Sequence, residues 1–354
     1  PAAVLYIQSG KVEIEDCILT GATLSASGKQ MGVISMANEA TVLIRNSQIA
    51  GSLNRIDAKN PEEIPGGIFL AGTNELILED SGITDSYIAI YAYGQAQVTI
   101  TDSEMKNNYS AVTLLENATA TISSSTFSNC SGSCVVTLDE SQASISDNTF
   151  KDSPEGLAIQ ATENSKSLIN HNTFTNIMSG VIFMDNASGE AVDNTLEEFN
   201  SIGIVVQNSS APTLANNTFT LGTNNQGQVI GITYQDSAAG EARGNYISNL
   251  YLGISVKDDA LPSLNFNTIE SCFNGIYYSG NARGIANNNI IYLGEIGILI
   301  DAPASPVITN NSIQAWSNAL YSSPEDWIIQ LDTSGNDLTS GPPEIEVVTI
   351  TPTP

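Results

Sequence analysis

The chain has 354 residues, with 38 aspartates and glutamates against 11 lysines and arginines, for a net charge of -27 although only 14% of residues are charged. So few basic side chains cannot neutralise a phosphate track beside so many carboxylates, which excludes nucleic acid as a partner and disfavours an anionic membrane surface. No apolar run approaches the length of a membrane span, so no membrane insertion is expected.

From Val98 onward the chain repeats one short phrase: VTITDSEM at 98–105, TISSSTF at 121–127, SISDNTF at 144–150, LINHNTF at 168–174 and SLNFNTI at 263–269. Aligned on the polar residue before the threonine, the series runs Cys17, Ser47, Ser81, Ser103, Ser125, Asn148, Asn172, Asn194, Asn217, Asn245, Asn267, Asn288 and Asn311. Most steps are roughly 21–24 residues, the period of a solenoid. Each repeat holds three runs of three to five residues with alternating polarity, and none has a helical period. This predicts an all-β, right-handed, single-stranded parallel β-helix of about thirteen coils, three short strands each. A sharp bend after the second strand suits asparagine, which tolerates left-handed backbone angles, and stacked amides would form an asparagine ladder.

In chain order, the sequence opens at Pro1 as if in mid-coil and reads as part of a larger polypeptide. Two loops break the period, at Gly51–Gly66 and Leu221–Val229, where a solenoid tolerates insertions. Cys130 and Cys134 either pair locally or lie as buried thiols, and Cys17 occupies a ladder position. Residues 1–313 are expected to form the solenoid. Residues 314–343, with Trp316 and Trp327, are expected to cap its last coil, and 344–354 to give a final strand and a Pro/Thr linker. First-strand side chains expected in the core include Val136 with Leu138, Leu157 with Ile159 and Ile182 with Met184. Third-strand core residues run from Met105 through Phe127, Phe150 and Phe174 to Ile290 and Ile313.

The recurring GIxL and NNTI phrases resemble the right-handed β-helix repeats of the pectate-lyase-like superfamily, in particular the generic carbohydrate-binding, sugar-hydrolysis and NosD-like repeats. The resemblance covers roughly residues 10–313 and implies a fold more than an activity. It also implies that any site lies on the solvent face of the first strand and its flanking loops. The outward residues there read Ser35, Phe69, Ala89, Thr113, Thr137, Ala158, Phe183, Val205, Thr233, Ser255, Tyr277 and Leu299, none of them charged. The calcium-binding carboxylates and basic catalytic residue that the resemblance implies for a lyase are missing from this face. So are the clustered aspartates of a polygalacturonase-like hydrolase, and the Asp-Pro-His element of a mannuronan epimerase occurs nowhere in the chain. The single histidine, His171, falls in a bend. Asp57, Lys59, Glu62 and Glu63 in the first long loop are the remaining catalytic candidates, more readily read as a solvated loop.

Carboxylates gather in the turn after the first strand, densest at Asp258 with Asp259 and including Asp236, an acidic stripe that either binds calcium through these three or serves solubility. A threonine row lies outside the third strand, ending in Asn289 and Ser312. Tyr109, Tyr251 and Phe273, with Tyr87, Phe199 and Tyr292 near the same turn, either stack against sugar rings or pack over their coils. The expected function is a non-catalytic extracellular or cell-surface module that binds polysaccharide or another cell-surface component, or acts as a rigid spacer, with Phe69, Tyr109, Phe183, Tyr251, Phe273 and Tyr277 as sugar contacts. The alternatives are a polysaccharide lyase or glycoside hydrolase with its site near the 51–66 loop, or a structural stalk of a surface assembly.

Overall fold

The computed structural model describes residues 4–21, 32–52, 66–221 and 228–341. Each coil contributes three strands, as in Leu252–Val256, Ser263–Asn265 and Thr268–Glu270. Every strand pairs in parallel with its equivalent one coil away, so Ile254 lies beside Ile232 and Ile276, and Ile269 beside Ile247 and Ile291. The second strands form one 13-stranded parallel sheet, in agreement with the expected coil number. Among the described residues, no helix is long and apolar enough to cross a membrane.

The interior is a stack of columns. Phe127, Phe150 and Phe174 lie ring on ring, with centroids 4.8 and 5.1 Å apart. Parallel pairing at about 4.8 Å per coil suits offset aromatic stacking, so a phenylalanine repeated in one column packs on its own copies. Third-strand residues fill this column throughout, from Met105 to Ile313, all of them buried.

The corner between second and third strands holds the coils in register. Two successive residues divide the work there. The first adopts the left-handed conformation: Asp147 (φ 58°), His171 (56°), Asp193 (54°), Asn216 (55°), Phe266 (54°) and Asn310 (57°). The second is the repeated polar residue, buried beneath it. The bend itself is therefore made one residue before the asparagine. The buried asparagine instead satisfies hydrogen bonds. Asn217 shows the pattern: its Oδ1 accepts from the backbone N–H (3.0 Å) and the Nδ2 (2.9 Å) of Asn194. Its own Nδ2 donates to the Ala191 carbonyl (2.8 Å) and to Asn245 Oδ1 (3.0 Å). Both amide hydrogens and both carbonyl lone pairs are used, which a buried amide requires. Serine, in the earlier coils, does less. Ser81 Oγ accepts from the Ser47 amide (3.0 Å) and donates back to its own strand at the Glu79 carbonyl (2.7 Å).

Three features differ from the sequence reading. In two coils the inward residues are Val135 with Thr137 and Val181 with Phe183, one position earlier than expected, and in the coil between them Ile159 is inward as expected but is joined by Ala161, with Leu157 on the outer face. The corner before Ser133 spans 129–132, one residue longer than the preceding corner at 107–109, and a one-residue slip exchanges the two faces. Thr137 is accommodated inside because its hydroxyl meets Ser165 Oγ (3.1 Å) and Ser167 Oγ (3.2 Å). In the NNNI stretch Asn289, not Asn288, enters the buried column, bonding Asn267 and Asn311, so Ile291 is inward and Ile290 half exposed. The column also runs past residue 313. Asn336 Oδ1 accepts from Asn311, and Asp337–Ser340 pairs with the strand Ser312–Ser323. Between them a 3-10 turn, Glu325–Gln330, lays Trp327 and Ile328 against the core, with Trp327 Nε1 bonded to the Ala304 carbonyl (2.8 Å). Most of the 51–66 loop, including Asp57, Lys59, Glu62 and Glu63, and residues 222–227 and 342–354, lie outside the described residues.

Asn217→Ala would strand the two donors of Asn194, the Ala191 carbonyl and one lone pair of Asn245. A loss of about 3 kcal/mol in urea unfolding is expected, with Asn217→Ser losing less because a hydroxyl still accepts one of the bonds.

Candidate functional site

Registration fixes the outward column of the first strands as Tyr6, Ser35, Phe69, Tyr91, Thr113, Val136, Gln160, Ile182, Val205, Thr233, Ser255, Tyr277 and Leu299. Ala89, Thr137, Ala158 and Phe183 drop out of it. Phe183 is fully buried, beside Ala161 and Val206, and contributes packing rather than a contact surface. Phe199 is likewise core, set edge-on to Phe219.

A cavity on this face, about 740 Å³, opens over the first coils. Its floor is Ser35, which stands between Tyr6 and Phe69 in the column. A small side chain between two large ones leaves a slot two coil rises wide, roughly 9.6 Å. Phe69 and Tyr91 stack nearly parallel (5.7 Å, 4°), and Tyr93 tilts against both (5.5 and 6.2 Å). Ser35 is only 2% exposed, and its hydroxyl has no hydrogen-bond partner. A buried, unpaired hydroxyl facing a cavity calls for a polar ligand or water. Tyr91 is buried and its phenol is pushed up to about 12, by burial first and then by Tyr93, Asp139 and Glu116. Three further orphaned polar atoms lie on the same face, Thr233 Oγ1, Ser255 Oγ and Asn274 Oδ1.

Two kinds of side chain flank the trough. On one side are aromatic pairs from the corner before the strand: Tyr87 with Tyr109 (4.6 Å, 9°) and Tyr251 with Phe273 (5.5 Å, 6°). Tyr109, Tyr251 and Phe273 are 40%, 38% and 51% exposed, so part of each ring is open to solvent. On the other side runs the carboxylate column. Glu116, Asp139, Glu163, Asp185, Asp236 and Asp258 all hold the left-handed position of the turn. Each accepts a backbone N–H from the coil before where that coil's turn is in the row, as in Asp139 Oδ2 with the Glu116 amide (2.8 Å) and Asp258 Oδ2 with the Asp236 amide (3.1 Å). Asp259 accepts from Asn281 (3.1 Å). The stripe thus has a structural task, capping turns. Among the described residues, no three or more His, Cys, Asp or Glu side chains are grouped to hold a metal ion. Beside the cavity the left-handed turn position is Asn38, Gly72 and Gly94, so the carboxylate row at that position ends there, although Glu39 lines the cavity.

The sequence candidates do not converge. Phe69 and Tyr251 are about eight coils apart, roughly 38 Å. Tyr277 sends its hydroxyl to Asp301 instead of presenting a free polar edge. Burial and that bond both raise its phenol. Tyr292 lies outside the third strand near Glu270, which raises its phenol, away from the trough. His171 makes its bend, Nε2 3.6 Å from Asp193. Tyr6, Tyr91 and Tyr93 are not among the sequence candidates, and Ser35 enters there only as an outward residue. The signal for Tyr91 was present in AIYAY, since aligning Ile90 on Ile68 places it beside Phe69.

These coils define a parallel β-solenoid with one aromatic, uncharged face. The description "Right handed beta helix region" matches residues 32–189 and 179–337, and the chain belongs to that family. No curated protein matches it in sequence. Among solved structures it is similar to the periplasmic alginate epimerase AlgG, at 13% identity and a TM-score of 0.57, covering 95% of this chain and 84% of that one. A double mutant of AlgG gives 13% and 0.55, covering 85% and 81%. DFA-IIIase from Arthrobacter chlorophenolicus A6 gives 14% and 0.47, covering 88% and 86%. At these identities the likeness is one of fold.

Replacing Ser35 by phenylalanine would complete the ring stack from Tyr6 to Tyr91 and fill the slot. A gain of about 1 kcal/mol in thermal unfolding is expected. Ultraviolet titration of tyrosinate should show one phenol ionising near pH 12. Because the unfolded chain releases that proton near 10, stability should fall as pH rises through this window.

Proposed function

We propose that this protein is a non-catalytic polysaccharide-binding solenoid acting outside the cytoplasm, which holds glycan on the outer face of its first strands. The observation that carries the reading is the buried, unpartnered Ser35 hydroxyl at the floor of a slot walled by Tyr6 and Phe69. An aromatic ring presents an apolar face to the C–H surface of a sugar, and a hydroxyl at the floor meets the ring's polar edge. Glycoside cleavage by paired carboxylates needs two close together, and among the described residues of this cavity Glu39 is the one carboxylate. The Asp-Pro-His element expected of a mannuronan epimerase is absent from the sequence. The similar fold of a periplasmic alginate epimerase and the Cys130–Cys134 disulfide both favour an extracytoplasmic, oxidising setting. The net charge of -27 favours neutral polysaccharides over polyuronates.

An array of neutral and uronic polysaccharides tests this, read for both binding and release of new reducing or unsaturated ends. Binding without release is expected, and Phe69→Ala should weaken it about tenfold. Release of new ends would replace the binding module with a lyase or hydrolase.

A further inference from the structure

A second cavity, about 430 Å³, lies farther along the same trough and is lined by Tyr87, Tyr109, Gly132, Ser133, Glu155 and Gln160 among others. Its aromatic wall is the Tyr87–Tyr109 stack. The Tyr109 ring rests on Gly132. A Cβ added there would stand 2.9 Å from the ring's Cε1 and Cζ, too close for any side chain. Gly132 also donates its N–H to the Tyr109 carbonyl (2.9 Å) and accepts from Leu157 (2.8 Å). It sits inside the loop closed by the disulfide between Cys130 and Cys134. Opposite the ring, Ser133 Oγ donates to Gln160 Oε1 (3.0 Å), so the polar side of the cavity is anchored on the same loop.

We propose that this cavity is a second sugar subsite, and that the Cys130–Cys134 bridge is the positioning element that fixes its aromatic wall. The inference rests on the glycan-binding reading. A bridge across four residues closes a very short loop and ties no distant parts of the fold together. Its effect is local, on the backbone at Gly132 and hence on the seat of Tyr109. Both cysteines are buried, 2% and 0% exposed, so the bridge acts as a fixed brace and not as a redox switch. The two cavities lie about three coils apart, roughly 15 Å along the axis. A disaccharide reaches one of them, and a longer oligosaccharide reaches both. The ligand class is therefore an extended neutral glycan gripped at two points, with Gln160, Ser133 and the Glu155 carboxylate as hydrogen-bonding partners in the second.

The test compares the wild-type chain, Cys130→Ala/Cys134→Ala, Gly132→Ala, Tyr109→Ala and Phe69→Ala. Disaccharides and hexasaccharides of a neutral glycan are titrated calorimetrically, and the Tyr109 ring is followed by NMR without ligand. The bridge-less variant should show a displaced Tyr109 signal, about tenfold weaker hexasaccharide binding and unchanged disaccharide binding. Gly132→Ala, which keeps the bridge but removes the seat, should do the same. If hexasaccharide affinity and the Tyr109 signal are unchanged in the bridge-less variant, the inference is overturned. If Phe69→Ala weakens binding and Tyr109→Ala does not, the second subsite falls while the first stands. If no saccharide binds the wild-type chain, both fall together.

Discussion

The buried amide column at the second corner is the constraint on which the rest of this structure depends. Each asparagine from Asn148 to Asn311 bonds the equivalent residue one coil on, through its backbone N–H and its side chain. A slip of one residue would strand several buried polar groups in every coil at once, at a cost no single apolar contact offsets. Register fixed at one corner is fixed around the coil, because the strands on either side hold only three to six residues in most coils. The aromatic stack inside the third strand and the carboxylate row outside the turn follow from that register.

A solenoid this regular makes its repeat a background, and the candidate site lies where the background is broken. Ser35 breaks a run of aromatic residues and leaves a slot. Gly72 and Gly94 break the row of acids beside that slot, where Glu39 is the one lining carboxylate among the described residues. The corner at 129–132 is a residue longer than the one before it, and carries both a disulfide and the glycine on which Tyr109 rests. None of these departures disturbs the core columns. That is how a quasi-one-dimensional fold varies its surface while keeping its interior.

The fold was legible in the sequence because the period, the strand alternation and the polar corner residue all recur. Inward columns are correct wherever β-branched residues alternate cleanly, as in Ile204 with Val206 and Ile254 with Val256. They failed where chemistry and position disagree. VVTL offers Val136 with Leu138 as the more apolar register, but the longer corner sets Val135 and Thr137 inside, where the hydroxyls of Ser165 and Ser167 meet Thr137. NNNI offers two asparagines for one place. The candidate site was less legible, because a slot is a gap. Phe69 was found from its own character, whereas Ser35 matters through the size of its neighbours one coil away on each side. Phe183 was misassigned by the same slip that moved Thr137. That error reflects register, since a phenylalanine suits either face equally well.

The carboxylate row has a further consequence. Two unit charges in water reach an interaction of RT at about 7 Å, and successive coils set these acids about 4.8 Å apart. Only Asn208 interrupts the run from Glu116 to Asp258 with a neutral side chain. Such a line behaves less like a set of separate groups than like one edge of a polyelectrolyte. It gathers a sheath of mobile cations without needing a coordination site, and that sheath tightens as ionic strength falls. The solenoid therefore carries two unlike flanks: one wrapped in counterions, the other bearing the paired rings of Tyr87 with Tyr109 and Tyr251 with Phe273.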